Sequence, residues 1–205
     1  LHQLGYLPLR FRALPEGTEV PLRIPMFVVE NTHKKFAWVV NYLESIMSTE
    51  IWMPMTTATL ALRMRRMLDE FAGETSDMPE FVNWQGHDFS FRGMASMEAG
   101  AASGSGHLLS FAGSDTIPAV DWIETYYPLP AGREFLVAAS VPATEHSVMM
   151  IGGPVGEKET FEHVLGLYPS GIVSIVSDTW DLFGVIRKIL PQLKDMIMKR
   201  DGRLV

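Results

Sequence analysis

The sequence predicts an α/β protein, and three observations carry that prediction. Beyond about residue 80, short apolar runs alternate with segments of helical spacing, the pattern of parallel strands joined by crossover helices in a sheet or barrel. Gly73 to Pro79 interrupts the chain, and the pattern before it is different: β-like runs followed by helix. Of the 205 residues 47% are apolar and 20% charged, enough to build a sizeable core.

In chain order, residues 5–31 read as β structure. Tyr6 to Ala13 alternates, Pro15-Glu16-Gly17-Thr18 is a turn, and Glu19 to Ile24 returns as an edge strand because it contains Pro21. Pro25 to Val29 is a second apolar run. Lys35 to Met47 is a helix with Phe36, Val39, Val40, Leu43 and Ile46 on one face. A second helix runs from Thr49 or Pro54 through Phe71, with Leu60, Leu62, Met64, Met67, Leu68 and Phe71 buried and Arg63, Arg65 and Arg66 forming a solvated face. The boundary at Gly73 to Pro79 divides a mixed α/β part, residues 1–78, from a second part, residues 79–205. There, strands are expected at Phe81–Phe91, Phe135–Val141 and Ile172–Val176. Helices are expected at Met97–Phe111, Ala119–Tyr127, Thr144–Ile151, Glu157–Tyr168, Trp180–Leu190 and Leu193–Lys199. The small residues Gly100 to Gly106 read as a helix surface that lets another element approach closely. Asp201 to Val205 reads as a turn entering a strand, and with Leu1 at the start it gives the expectation of a fragment.

A net charge of -7 disfavours a general nucleic-acid or anionic-membrane partner. The absence of cysteine removes disulfides, thiolate metal sites and Cys nucleophiles, and fits a reducing, cytoplasmic setting. No apolar run approaches the roughly 20 residues of a membrane helix, and no signal peptide is expected. Esterase-elbow, P-loop and His-Glu-x-x-His patterns are missing.

In parallel α/β folds, sites gather at the carboxyl ends of strands. The candidates are therefore Arg92, the stretch Ser140 to His146, and Ser177, Asp178 and Asp181. Strand-end Ser and Asp also serve as helix caps, and that role competes for Ser177, Asp178 and Asp115. His87-Asp88-Phe89-Ser90-Phe91-Arg92-Gly93 places an imidazole, a carboxylate, aromatic rings and a guanidinium together. Such a set can stack a flat ring beside a phosphate. It competes with an ordinary strand end and a snorkelling Arg. His146, in the first turn of its helix, can accept a proton, contact phosphate or become phosphorylated.

Gly5-Tyr6-Leu7-Pro8, Ala13-Leu14-Pro15-Glu16-Gly17-Thr18, Val29-Glu30-Asn31-Thr32, Asn41-Tyr42-Leu43-Glu44, His87-Asp88-Phe89-x-x-Arg92-Gly93, Gly113-x-Asp115-Thr116, Ser140-Val141-Pro142-Ala143-x-Glu145-His146-Ser147, Phe161-Glu162-His163 and Val176-Ser177-Asp178-x-x-Asp181 occur in order. Together they resemble the nicotinamide phosphoribosyltransferase family. The resemblance implies a homodimer with part of an irregular type II phosphoribosyltransferase α/β barrel and part of a mixed α/β domain. It implies transfer of the ribosyl group of 5-phosphoribosyl-1-pyrophosphate (PRPP) to nicotinamide in NAD salvage. Mg2+ is the required ion, and ATP stimulates through a phosphohistidine.

By motif match, Phe89 stacks on the pyridine and Arg92 contacts substrate and diphosphate. Asp115 accepts the carboxamide N–H, His146 is phosphorylated, and Asp181 orients it. Ser140, Val141, Ser177 and Asp178 line the pocket, and no residue is assigned to the metal. Ser90-Phe91 departs from the family's usual Gly-Tyr. The family's Arg-Pro-Asp-Ser-Gly strand and phosphate loop are expected beyond Val205, so the 205 residues are expected to be poorly active alone. The competing readings are a nicotinate phosphoribosyltransferase and a non-catalytic dimerisation or binding domain of the same fold.

Overall fold

A computed structural model describes residues 1–127 and 136–204, the last two by their backbone alone. The chain forms two compact units, Leu1–Ala138 and Ala139–Val205. The α/β class holds: helices accompany three two-stranded sheets among the described residues, one antiparallel and two parallel.

In the first unit, β1 (Leu9–Ala13) pairs antiparallel with β2 (Phe27–Asn31), Leu9 opposite Asn31 and Ala13 opposite Phe27. The expected return at Glu19–Ile24 is not a strand. Pro21 and Pro25 cannot donate to a ladder, and the segment closes turns instead, Thr18 N–H to Pro15 O and Ile24 N–H to Pro21 O. The two expected helices are one, α1 (Trp38–Thr75), 38 residues long with Pro54 inside it. Proline in a helix interior removes one backbone bond, at about 3 kcal/mol, but packing along this stretch outweighs that loss. The Thr57 and Ser103 hydroxyls are 2.9 Å apart, and the next helix lies directly against the Pro54 carbonyl.

That next helix, α2 (Met97–His107), is capped by Ser96, whose Oγ accepts Ala99 N–H. Its small residues act as expected. A Cβ on Gly106 would stand 2.5 Å from Pro54 O, and one on Gly104 would stand 2.6 Å from Ala119 Cβ of α3 (Ile117–Tyr126). The buried face of α1 is not the one expected. Ala61 and Ala72 are core residues with Leu68 packed on them, whereas Leu60, Met64, Met67 and Phe71, expected inside, are exposed. That buried stripe packs on Val82 and Phe111. Arg65 and Arg66 are likewise not simply solvated. Arg65 donates to Asp69 and, at 2.7 Å, to Ser110 O; Arg66 makes a two-pronged pair with Glu19.

The expected strand Phe81–Phe91 breaks into three pieces. Pro79–Trp84 and Ser90–Gly93 are 3-10 turns, and only β3 (His87–Asp88) between them is extended. Gly86 and Gly93 punctuate the segment, and Val82 is drawn into the core with Phe111. β3 pairs in parallel with β4 (Gly113–Ser114).

In the second unit the core is Met149, Phe161, Val164, Leu165, Val173, Ile175, Val185 and Leu193. It is supplied by α4 (His146–Met149), α5 (Glu157–Leu167), β5 (Ser170–Val173) and the C-terminal helices. β5 pairs in parallel with β6 (Asp201–Leu204), so the expected final strand forms. The expected strand 135–141 does not form as such. Phe135 lies outside the described residues, and the segment that runs parallel to β5 is later, bridging at Ala143 to Ser174. The expected helices at 180–190 and 193–199 merge: α6 (Leu182–Gly184) passes through a π-helical turn, Val185–Ile189, into α7 (Leu190–Met198). Leu190 N–H reaches back five residues to Val185 O, and Pro191, having no N–H, leaves that register undisturbed.

The α1–α2 contact tolerates no added volume at Gly106. Gly106→Val is expected to lower unfolding free energy by about 1–3 kcal/mol. Gly73→Ala, at an α1 glycine with nothing within 4 Å of the new Cβ, is expected to raise it by about 0.5–1 kcal/mol. Urea unfolding midpoints of the two variants check both signs.

Candidate functional site

Each unit brings together some of the candidate site residues, in both cases where two segments run parallel. In the first, β3 and β4 lie parallel with His87 beside Gly113 and Asp88 beside Ser114. The residues that follow each strand, Phe89 and Asp115, therefore emerge at the same edge. Asp115 N–H donates to Asp88 O at 2.9 Å and fixes that edge. The Phe89 ring is 55% exposed, although a phenyl ring normally seeks burial. It rests on the His87 imidazole, with centroids 4.4 Å apart and planes 30° apart. His87 Nε2 lies 3.2 Å from Asp115 Oδ1, off the line of a hydrogen bond.

Asp115 does not cap α3. The Thr116 amide is taken instead by Ser114 Oγ at 3.0 Å. Arg92 is exposed on the turn Ser90–Gly93. That turn is held by Asp88, whose Oδ1 accepts Ser90 N–H at 2.9 Å.

Asp88 is buried at the base of the cluster. Burial raises its carboxyl pKa, but the Ser90 amide, the polar side chains of Ser90 and Thr116 and the nearby His107 outweigh burial and hold it below the usual carboxylate range. His107 stacks on Phe111 at 5.2 Å with Nε2 3.0 Å from Gly113 O, and its pKa is lowered too. Burial depresses its pKa more than Asp88 raises it. An exposed flat ring, a carboxylate and a guanidinium at one strand edge can hold an aromatic ligand that carries an N–H donor and an anion.

In the second unit Ser174 N–H donates to Pro142 O at 2.9 Å, Thr144 N–H to Ser174 O at 3.0 Å, and Val176 N–H to Thr144 Oγ1 at 2.9 Å. These bonds bring the ends of the two segments together. His146 Nε2 and Asp178 Oδ1 are 3.0 Å apart, both well exposed. The resemblance makes Asp181 the orienting carboxylate; the carboxylate that lies beside His146 in the structure is that of Asp178. Asp181 instead caps α6, its Oδ1 accepting Gly184 N–H at 3.0 Å. Three further residues along, Asp181 has already turned into the helix start.

Ser177 folds back on its own strand, donating to Ile175 O at 2.9 Å. Ser140, exposed, and Val141, half-buried, precede the paired Ala143, so the segment end belongs to Thr144 and His146. The sequence reading missed Thr144, whose hydroxyl makes the link, and Glu157. Glu157 is 4% exposed in the first turn of α5, and its Oε1 has no hydrogen-bond partner. Burial, and then the charge of Asp181, raise its carboxyl pKa. In sequence it reads as an ordinary acid at a helix start, and nothing signals its burial.

Among the described residues no three His, Asp or Glu side chains converge as a metal site, and no helix is long and apolar enough to cross a membrane.

Comparison with known proteins bears on this geometry. The model of the nicotinate phosphoribosyltransferase (NAPRTase) family matches residues 84–204, which include both clusters. A nicotinamide phosphoribosyltransferase of Acinetobacter baylyi is 49% identical over 98% of this chain and 39% of that protein. One of Mycoplasma pneumoniae is 34% identical over 100% of the chain and 43% of that protein. One of Xanthomonas campestris is 35% identical over 90% of the chain and 39% of that protein. The chain thus spans about two fifths of the length of these relatives.

Because Asp88 has a lowered pKa in the folded protein, its stabilisation is complete above the unfolded value near pH 4 and is lost as pH falls through the folded value. Asp88→Asn is therefore expected to melt earlier than the parent at pH 7, with the gap narrowing below about pH 4. Melting curves of both proteins from pH 7 to pH 3 check this.

Proposed function

The chain belongs to the nicotinate phosphoribosyltransferase (NAPRTase) family, and from that premise we propose that it carries the pyridine-recognition half and the histidine of a nicotinamide phosphoribosyltransferase. The reaction joins the pyridine nitrogen of nicotinamide to ribose C1 of PRPP. The C1–O bond breaks, its electron pair leaves with pyrophosphate, and nicotinamide mononucleotide forms as part of NAD salvage. The names of the relatives support the reaction class, and a parallel strand pair in each unit is in keeping with a type II phosphoribosyltransferase. A homodimer acting in the cytoplasm belongs to the same proposal.

The observation that carries nicotinamide over nicotinate is Asp115, a carboxylate at the same edge as the exposed Phe89 ring. Phe89 offers a face for the pyridine. Asp115 accepts the carboxamide N–H and repels the carboxylate of nicotinate. Arg92, on its Asp88-anchored turn, contacts substrate and diphosphate by its planar fork of donors. The transition state has a cationic ribosyl centre, so the protein's work is positioning and charge stabilisation. Ser140, Val141 and Ser177 are proposed as pocket lining.

The donor set fits magnesium held mainly by substrate phosphates. Asp178 and Asp181 are exposed carboxylates, and Mg2+ commonly takes one or two of these with phosphate oxygens and water. When bound, the ion neutralises diphosphate charge.

For ATP, His146 is proposed as the phosphoryl acceptor. With Nε2–H donated to Asp178, the lone pair lies on Nδ1. The Nδ1–P bond forms as the P–O bond to ADP breaks, and Asp178 stabilises the resulting imidazolium. Asp181, which the family resemblance makes the orienting carboxylate, is the second candidate for that role.

The test supplies the complete protein with PRPP and Mg2+, and with nicotinamide and nicotinate in competition, with and without ATP. Nicotinamide mononucleotide as main product, rising with ATP, supports the reading. Nicotinate mononucleotide overturns the specificity. No product from folded protein favours a binding domain. Asp115→Ser is expected to cut the nicotinamide-to-nicotinate ratio of kcat/KM on the order of 100-fold, and an unchanged ratio removes Asp115 from recognition. His146→Ala is expected to abolish ATP stimulation while basal turnover persists, as measured by initial rates across ATP concentrations.

A further inference from the structure

The His87 imidazole touches both residues that we assign to ring recognition, yet it carries no assigned role. It stacks on Phe89 at 4.4 Å. On the neighbouring strand it is confined by Gly113, where a Cβ would stand 2.7 Å from its Nδ1. It reaches Asp115 Oδ1 with Nε2 at 3.2 Å. Nε2 is buried and has no hydrogen-bond partner. A bare lone pair aimed at a carboxylate would repel it, so the tautomer that fits has its hydrogen on Nε2 and its lone pair on Nδ1. The N–H then points at Asp115 but off line, so the contact is an incomplete one.

We propose that His87 is a specificity-determining positioning residue: wedged between Gly113 and Phe89, it sets the tilt of the stacking ring and holds the Asp115 carboxylate toward a carboxamide donor. The proposal rests on the nicotinamide reading above and deepens it. It locates the preference for a carboxamide in a three-residue unit, His87, Phe89 and Asp115, and not in Asp115 alone. Three features of the fold serve that unit. The β3–β4 pairing sets His87 beside Gly113, the missing Cβ of Gly113 gives the ring its place, and Asp88 secures the backbone on either side through its carbonyl and carboxylate. His87 does not reach the reacting ribose in this role. Its removal is therefore felt in binding of the pyridine more than in the chemical step.

The experiment uses the complete protein and compares His87→Leu, which keeps bulk without a donor, with His87→Gln, which keeps an N–H donor. The readouts are kcat and KM for nicotinamide and nicotinate, with melting temperatures alongside. His87→Leu is expected to raise KM for nicotinamide about tenfold with kcat within about twofold, and to shrink the nicotinamide-to-nicotinate preference by a similar factor. His87→Gln is expected to keep the preference within about threefold of the parent. A parental preference in His87→Leu overturns the proposal, as does an equal loss in His87→Gln. If the parent itself shows no preference for nicotinamide, the functional reading fails, and that result is distinct from either variant outcome.

Discussion

The hydrogen bond from Asp115 N–H to Asp88 O is the constraint on which the first cluster depends. β3 and β4 are only two residues each, too short to be stable as a free ribbon. The pairing persists because Asp88 satisfies neighbouring groups with both backbone and side chain. Once it is in place, the chain has little choice. The residue after each strand must emerge at one edge, so a ring and a carboxylate 26 positions apart in sequence become neighbours. The second unit repeats this with less regular structure, using one bridge at Ala143 and one Thr144 hydroxyl to align His146 with Asp178.

Two kinds of group are used differently in these clusters. Asp88 is buried and His107 half-buried, and their environments favour the charged acid and the neutral base, which suits a fixed foundation. Phe89, Asp115, His146 and Asp178 are exposed, which suits contact with a ligand. Glu157 belongs to the first kind. It is an acid hidden at a helix start, where burial and Asp181 both favour its neutral form.

Much of this is legible in the sequence, and the losses have physical causes. The α/β class, α2, α5 and the final strand follow from periodicity and caps. The rule that sites gather at strand ends singles out Arg92, His146 and Asp178. What fails is local. Pro54 reads as a helix boundary, but packing by Gly106 and Ser103 carries α1 through it. The Leu60, Met64, Met67 and Phe71 stripe reads as core because large apolar residues usually are. The buried face is instead the one that meets Val82 and Phe111, and it carries Ala61 and Ala72. Asp178 and Asp181 are equally plausible candidates in sequence. Only the turn into α6 decides which one faces the histidine and which caps.

The tight packing of α2 gives that helix a place in the protein's variation that its composition hides. A Cβ on Gly100 would stand 2.8 Å from the Phe91 ring, and one on Gly104 would stand 3.1 Å from Asp88 Oδ2. Phe91 rides on the turn that carries Arg92, and Asp88 anchors the same turn. A methyl group gained inside α2, remote from any ligand, would be transmitted as a displacement of the guanidinium and of the strand edge beside it. The helix is thus a mould for the site. Drift in its small residues would shift the turn that carries Arg92 as well as loosen the fold.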